Sequence, residues 1–321
     1  MMLIFVLFVG YLFSYSLLDW LNYESFIYFN KYIFFVLILL FVNIILSDYQ
    51  NSKRLVSAAE KVFLLNSFLV ILGLMFNIQV FESFYFMDYR FGYSGLFLSA
   101  NEYGYSLMSM LLVTYYKNFI EGESSYSFYI FLLVAVISGL KAVYIFTAFL
   151  FLYHIFSRRS LSLFTIVGIT SILFAASAGF LFENIFHEDA VGSLGFYKNY
   201  VENRGVFDML TSSRFDFIDT RLLPQIKEWG VFQFIFGGRH MSVEMDFIDI
   251  FLFFGIIGGL IYLILISTVL VSSWGSCFIV KFFIALILVL SFFGGHLFYS
   301  ATGAMYLGII LSYISMKERV R

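Results

Sequence analysis

The sequence has few charged residues, a single proline and a single cysteine. Charged residues make up 12% of its 321 positions and hydrophobic residues 61%. With a mean hydropathy of +0.92, the chain has more apolar surface than one soluble core could bury, which excludes a soluble enzyme. The net charge of -2 lacks the basic excess that a nucleic-acid partner requires. Cys277 has no partner for an intrachain disulfide, and one proline leaves most helices unbroken.

The apolar residues form long continuous runs separated by short polar stretches. These runs lack the two-residue alternation of a membrane β-barrel, so they predict an all-α polytopic membrane protein that forms one domain over residues 1–321. The first run has no cleavage site and is interpreted as a retained helix. Lys141 favours a hairpin at Gly139-Leu140-Lys141, because a lysine in the middle of one long helix would be costly in lipid. About ten spans are expected at roughly 20 residues each, near residues 2–18, 31–46, 62–81, 94–116, 127–139, 142–156, 160–182, 247–271, 278–293 and 297–316.

The distribution of lysine and arginine predicts the orientation of these spans. With a cytoplasmic N-terminus, the short outer loops receive only Lys31, Arg90 and Lys141. This bias is what the positive-inside rule expects, and it places the long loop at about 183–245 outside and both termini in the cytoplasm. The residues assigned to the inner side are Lys53, Arg54, Lys61, Lys117, Arg158, Arg159, Lys281, Lys317, Arg319 and Arg321.

The external loop contains a predicted amphipathic helix with two arginines. Thr211 to Asp216 has the pattern of a capping box, and the apolar residues that follow could lie on the membrane interface. Arg214 and Arg221, seven positions apart, would share a face and could bind a diphosphate through paired hydrogen bonds. They could equally pair with nearby acids or lipid head groups. Pro224 is expected to end this helix near Leu223. The apolar stripe consists of Phe215, Ile218, Leu222, Ile226 and Trp229.

Three carboxylates precede or begin the eighth predicted span. Asp246 and Asp249 would face the same side of its first turn, and Glu244 lies just ahead of it. Such acids often only cap helix amides. Glu244 could also accept a proton from an incoming hydroxyl, or the three could bind a divalent cation, although no metal-loop spacing is present.

A few further polar residues lie near the spans. Asn101 and Glu102 are expected about a third of the way into the fourth span, where a carboxylate needs a cavity or a partner. Lys141 could form that partner or contact a substrate. His296 is expected at the outer turn between the last two spans.

Several of these segments together resemble the O-antigen polymerase and ligase superfamily, in particular the Wzy-type polymerases. The similarity runs from about residue 90 to the end and includes the order of the segments. Its elements are Arg90-Phe91-Gly92, Asn101-Glu102-Tyr103-Gly104, Ser138-Gly139-Leu140-Lys141-Ala142, Leu210-Thr211-Ser212-Ser213-Arg214, Phe236-Gly237-Gly238, Val243 to Asp249 and Gly294-Gly295-His296.

The resemblance implies an inverting GT-C-type glycosyltransferase of the bacterial inner membrane. Its donor and acceptor would be undecaprenyl-diphosphate-linked oligosaccharides, its product an O-antigen, capsule or exopolysaccharide, and a chain-length regulator a candidate partner. It would use neither metal nor cofactor. Glu244 stands where ligases have a histidine, which favours a polymerase over a ligase. A secondary transporter of an anionic substrate is the rival class.

The resemblance also implies roles for individual residues. Arg214 and Arg239, supported by Arg90 or Arg221, would neutralise the leaving diphosphate. Glu244 would orient or deprotonate the acceptor hydroxyl. The remaining residues of the implied site are Asp246, Asp249 and His296 on the catalytic side, with Asn101, Glu102 and Lys141 in support.

Overall fold

A computed structural model describes residues 2–17, 23–45, 48–84, 91–158, 214–238, 243–272 and 277–320. These residues are helical apart from turns and one isolated antiparallel β-bridge between Glu82 and Tyr93. The predicted span at 160–182, most of the external loop, Arg90 and Arg239 lie outside the described residues. Within the described part of the chain, the all-α prediction is confirmed.

The helices follow the predicted apolar runs, with shifted ends. A 3₁₀ turn follows α3 at Gln79–Phe81, and α4 continues into a π turn at Tyr116–Glu121. A second π turn, Ile218–Leu222, joins α7 to α8. The helices are α1 (Met2–Leu17), α2 (Tyr23–Ile45), α3 (Tyr49–Phe76), α4 (Ala100–Tyr115), α5 (Ser127–Ile137), α6 (Lys141–Arg158), α7 (Arg214–Phe217), α8 (Leu223–Lys227), α9 (Val231–Phe236), α10 (Asp246–Ser272), α11 (Phe278–Gly294) and α12 (Ala301–Val320).

Three of the described helices are long and apolar enough to cross a membrane, namely Tyr23–Ile45, Tyr49–Phe76 and the α10 segment Asp246–Val271. They support membrane association. Shorter apolar helices, including α5 and α11, fall below that length. The ten spans and their orientation therefore stay predictions.

The chain divides into two compact units. The first comprises Met1–Ser52, Thr211–Lys281 and Leu288–Arg321, and the second comprises Lys53–Leu210 and Phe282–Ile287. Each unit has its own buried core, and the candidate site described below lies in the first.

Aromatic side chains dominate the core of the first unit around α10. Tyr32 of α2 packs against Phe253, Phe254 and Tyr262, with ring centroids between 5.3 and 5.4 Å apart. The Tyr262 hydroxyl is fully buried and lies 2.6 Å from the carbonyl oxygen of Phe298, to which it donates. Such buried aromatics add specific geometry to their large apolar area, so they fix α10 against α2 and the turn before α12.

A break in α10 at Gly255 lets a glycine turn approach its backbone. Gly255 has a φ of 68° inside the helix. A Cβ on Gly237 would lie 2.6 Å from the Gly255 nitrogen, closer than nonbonded atoms approach. The Gly238 N–H donates to the Leu252 carbonyl, and the Ser14 hydroxyl donates to the Gly237 carbonyl. The Phe236-Gly237-Gly238 motif is therefore a backbone crossing that locks α9 to the first part of α10.

The apolar stripe that could have lain on the membrane interface packs instead against the start of α10. Leu222 is 3% exposed and clusters with Val243, Met245 and Leu252. The other stripe residues are partly buried against this cluster. Burial against the start of α10 removes their apolar area from water, and so positions the arginine at the start of α7.

Pro224 does not end the helix, contrary to the prediction. The Leu223 N–H bonds to the Ile218 carbonyl, which closes a π turn, and Pro224 then occupies the first turn of α8. A first-turn proline needs no amide donor. The π turn at Ile218–Leu222 is wider than a turn of α-helix and contains an extra residue. Residues seven apart across it, such as Arg214 and Arg221, therefore no longer share one helix face.

In the second unit, the hairpin prediction is confirmed and the start of α4 is corrected. α5 ends at Ile137 and α6 begins at Lys141, with Gly139 at a φ of 68°. A Cβ on Gly139 would lie 2.8 Å from the Cα of Gly92, so these two motif glycines allow their backbones to touch. The segment before α4 is held in this nonhelical contact, and α4 begins only at Ala100.

Asn101 and Glu102 consequently lie in the first turn of α4, not a third of the way along a span. The Ser99 hydroxyl accepts a hydrogen bond from the Glu102 N–H and caps the helix. The predicted start was too early because Leu96, Phe97 and Leu98 belong to the nonhelical segment before Ser99. Hydropathy alone does not distinguish such a segment from the start of a helix.

Helices α2 and α3 begin well before their predicted spans. Lys31 lies within α2 and not in a preceding loop. In the second unit, the polar part of α3 carries Glu60, whose carboxylate lies 2.7 Å from the Lys117 ammonium. A helix extends past its apolar stretch when its polar residues find partners, so hydropathy marks the apolar stretch and not the helix end.

Candidate functional site

Glu244 lies at the centre of the candidate site, in a backbone conformation that side-chain-bearing residues rarely adopt. Its φ is +59°, which costs roughly 1 to 2 kcal/mol outside glycine. The turn before α12 crosses it: a Cβ on Gly295 would lie 2.5 Å from the Glu244 carbonyl oxygen. Gly295, in the motif Gly294-Gly295-His296, therefore holds Glu244 and His296 beside each other.

Arg214, the first residue of α7, binds Glu244. Its Nη2 atom lies 2.7 Å from Glu244 Oε2, while Nη1 donates to the carbonyl oxygen of Phe293 at the end of α11. The arginine side chain is 15% exposed and that of Glu244 is 50% exposed. Arg214 thus contacts an acid 30 residues away, Glu244, whereas the expectation named its sequence neighbours Asp216 and Asp219. Binding of a phosphate by Arg214 stays a prediction.

His296 completes the cluster on the other side of the carboxylate. Its Nε2 atom lies 3.7 Å from Glu244 Oε1, and its Nδ1 atom is hydrogen-bonded with the Tyr299 hydroxyl. The Lys31 ammonium lies over the ring of Tyr28, 4.9 Å from its centroid, and 5.9 Å from that of Tyr299. Tyr299 and Lys31 were not predicted as site residues. The three-residue spacing after His296 was the only signal for Tyr299.

The two basic neighbours change the acidity of Glu244. His296, and after it Arg214, lower the pKa of the Glu244 carboxyl to about 2, against the opposing effect of burial. The carboxylate is therefore charged throughout the neutral range, and it is a poor proton acceptor in this arrangement.

Asp246 and Asp249 hold the backbone of the site. Asp249 accepts hydrogen bonds from the N–H groups of Val243, at 2.6 Å, and Met245, at 3.2 Å. Asp246 accepts from the Leu297 N–H at 3.0 Å. Both side chains are buried, since Asp246 is 1% exposed and Asp249 is 4% exposed. Of the alternatives, proton transfer, metal binding and binding of backbone amides, the geometry favours the last. Asp249 binds the amides on either side of Glu244, and Asp246 binds the amide after His296.

The other predicted residues are placed as follows. Arg221 is exposed, with its guanidinium carbon 5.9 Å from the centroid of the Phe217 ring. Asn101, Glu102 and Lys141 lie partly buried in the second unit. Their part in the site stays a prediction, as do those of Arg90 and Arg239, which lie outside the described residues.

The three carboxylates do not converge on one point. Among residues 2–17, 23–45, 48–84, 91–158, 214–238, 243–272 and 277–320, no three acidic, histidine or cysteine side chains are arranged to share a metal ion. Searches of family models, curated proteins and solved structures find no match to this chain. The functional argument therefore depends on the geometry of the cluster and on the sequence resemblance.

Proposed function

We propose that this protein is a membrane glycosyltransferase of the O-antigen polymerase type. It would transfer a growing glycan from undecaprenyl diphosphate to the sugar hydroxyl of a new lipid-linked repeat unit. The observation that carries the proposal is the Glu244 carboxylate, which lies between the Arg214 guanidinium, 2.7 Å away, and the His296 imidazole, 3.7 Å away. Such a transfer needs a cation for the leaving diphosphate next to a carboxylate for the acceptor hydroxyl.

The chemistry divides between the two sides of the cluster. The acceptor oxygen attacks the anomeric carbon, the bond from that carbon to the diphosphate oxygen breaks, and the negative charge moves to the leaving diphosphate. Arg214 would donate hydrogen bonds to this anion, with Arg239 as a predicted second donor. The Glu244–His296 pair would take the proton from the acceptor hydroxyl. Asp246 and Asp249 would act as positioning residues, because their carboxylates hold backbone and not substrate.

The surroundings of the site follow from the same proposal. The protein would lie in a bacterial inner membrane with about ten spans, with residues 183–245 outside and both termini cytoplasmic. Its product would be a surface polysaccharide, and a chain-length regulator would be its protein partner. The polymerase is preferred over the ligase because, in the sequence resemblance, Glu244 stands at about the place where ligases have a histidine.

The test uses a deletion strain complemented with Arg214→Lys at matched expression. Lysine keeps the charge but loses the planar pair of donors, so long-chain glycan should fall by about two to three decades in rate, as for one lost contact to a developing anion. Arg54→Lys, the same substitution at an exposed arginine of α3 with no role in the proposed site, is the matched control and should leave chain length nearly unchanged.

The glycans of the deletion strain distinguish the alternatives. Loss of long chains with single-repeat glycan retained supports a polymerase. Accumulated lipid-linked polymer identifies a ligase instead. Normal chains from Arg214→Lys would contradict the role of this arginine in transfer.

A further inference from the structure

The guanidinium edge proposed to bind diphosphate is already occupied by a carboxylate of the same chain. Arg214 Nη2 contacts Glu244 Oε2 at 2.7 Å, and Nη1 contacts a backbone carbonyl. A phosphate oxygen and a carboxylate oxygen compete for the same donors, since both are anionic acceptors with matching geometry. A diphosphate that binds Arg214 through Nη2 must therefore displace Glu244 from it.

The backbone around Glu244 is fixed, whereas its side chain is half exposed. Gly295 and the two amides bound by Asp249 hold the backbone around Glu244. The side chain, in contrast, is 50% exposed, so rotation about its own torsions can move the carboxylate away from Arg214. His296 lies within 3.7 Å on the opposite side and can keep it inside the site.

We propose that Glu244 is a built-in competitor for the diphosphate site, which leaves Arg214 when the lipid diphosphate binds and only then serves the acceptor hydroxyl. This inference rests on the proposed function. It predicts an order of binding in which the donor must occupy Arg214 before the acceptor side becomes active. It also distinguishes Glu244 from a residue that only caps a helix, because a capping residue would not compete with diphosphate for Arg214.

The order follows from the basicity of Glu244. In the arrangement described, His296 and Arg214 lower the pKa of its carboxyl and make it a weak base. Loss of the Arg214 contact removes one of them, and the nearby diphosphate adds negative charge, so both changes raise the affinity of the carboxylate for a proton. A base that is active only beside a bound donor would deprotonate an acceptor only when transfer is possible.

The experiment measures binding of farnesyl diphosphate to the purified full-length protein, with farnesol as the uncharged control. Glu244→Gln removes the competing charge and should bind farnesyl diphosphate about fivefold more tightly than the wild type, since a half-exposed ion pair contributes on the order of 1 kcal/mol. Glu244→Gly is a second variant, because glycine accepts the positive φ and should fold without strain.

A double variant separates competition from general repulsion. In an Arg214→Gln background the guanidinium is absent. If the carboxylate acts by occupying Arg214, Glu244→Gln should then give no further gain in affinity for farnesyl diphosphate. A gain of the same size in that background would show simple charge repulsion and overturn the inference.

The remaining outcomes separate the inference from the proposed function. If the wild type binds through Arg214 but neither Glu244 variant binds more tightly, the competitor role is wrong while the diphosphate site stands. If no variant binds farnesyl diphosphate more strongly than farnesol, the diphosphate site fails and the competitor role fails with it.

Discussion

Gly295→Ala is the most informative single change in the candidate site, because it acts on Glu244 without touching any charged group. An added methyl group at Gly295 would lie 2.5 Å from the Glu244 carbonyl oxygen and 2.8 Å from its Cα. Both neighbours are backbone atoms and cannot rotate away. One of the two chain segments must therefore move.

The expected cost has two parts. Gly295 has a φ of +62°, and alanine in that region costs about 1 to 2 kcal/mol. The steric conflict adds about 1 to 3 kcal/mol, the range for overpacked interiors. Gly122 supplies the matched control, since its φ is +75° but nothing lies within 4 Å of its added Cβ. Gly122→Ala should therefore lower the free energy of unfolding only by the backbone part of this cost.

The assay compares thermal unfolding and farnesyl diphosphate binding of both variants in the same detergent. We expect the unfolding temperature to fall slightly in Gly122→Ala and further in Gly295→Ala, and we expect Gly295→Ala to alter diphosphate affinity as Glu244 is displaced from Arg214. Equal stability of the two alanine variants, with unchanged binding, would refute the backbone crossing and the placement of Glu244 that depends on it.

Three further predictions concern charge and topology. Because the pKa of Glu244 is lowered from 4.5 to about 2, its contribution to stability is complete above pH 4.5 and is lost as the pH falls toward 2, so the unfolding temperatures of the wild type and Glu244→Gln should converge progressively as the pH falls from about 5 to about 2; a constant difference would contradict this. Lys117→Met leaves a buried carboxylate uncompensated and should destabilise by about 3 kcal/mol, whereas Lys53→Met, from an exposed pair 3.5 Å apart, should cost under about 1 kcal/mol in the same unfolding assay. A cysteine at Ser193, in a background that lacks Cys277, should react with an impermeant maleimide in intact cells, and protection would reverse the predicted orientation.

The sequence was informative where local chemistry decides the structure. The hairpin at Gly139 was predictable because a lysine and a glycine interrupt an apolar run that is too long for one span. The turn carrying His296 was predictable because Gly294, Gly295 and His296 interrupt the last apolar stretch of the chain. In both places the glycine is needed for a close backbone contact, so the same residues that mark the turn also set its packing.

It was less informative where distant segments decide. The ion pair of Arg214 and Glu244 joins residues far apart in the chain, and no periodicity links them. The π turn before Pro224 could not be read from helical spacing, because the spacing argument assumes a regular helix. The burial of Leu222 depends on Val243 and Met245, which are not neighbours in any local pattern, so a stripe that packs inward looks the same as one that lies on lipid.

The interruption of α10 at Gly255 has a mechanical consequence for the carboxylates before it. A long apolar helix responds to a thicker or thinner bilayer by tilting, and a rigid helix would transmit that tilt along its whole length. Here the segment with Asp246 and Asp249 is joined to the rest of α10 through a nonhelical residue and is tied to α9 by the Gly238–Leu252 hydrogen bond. Because the helical backbone is interrupted at Gly255, a change of tilt in the later part of α10 would reach the acidic end mainly through side-chain packing, such as that of Tyr32 against Phe253 and Tyr262.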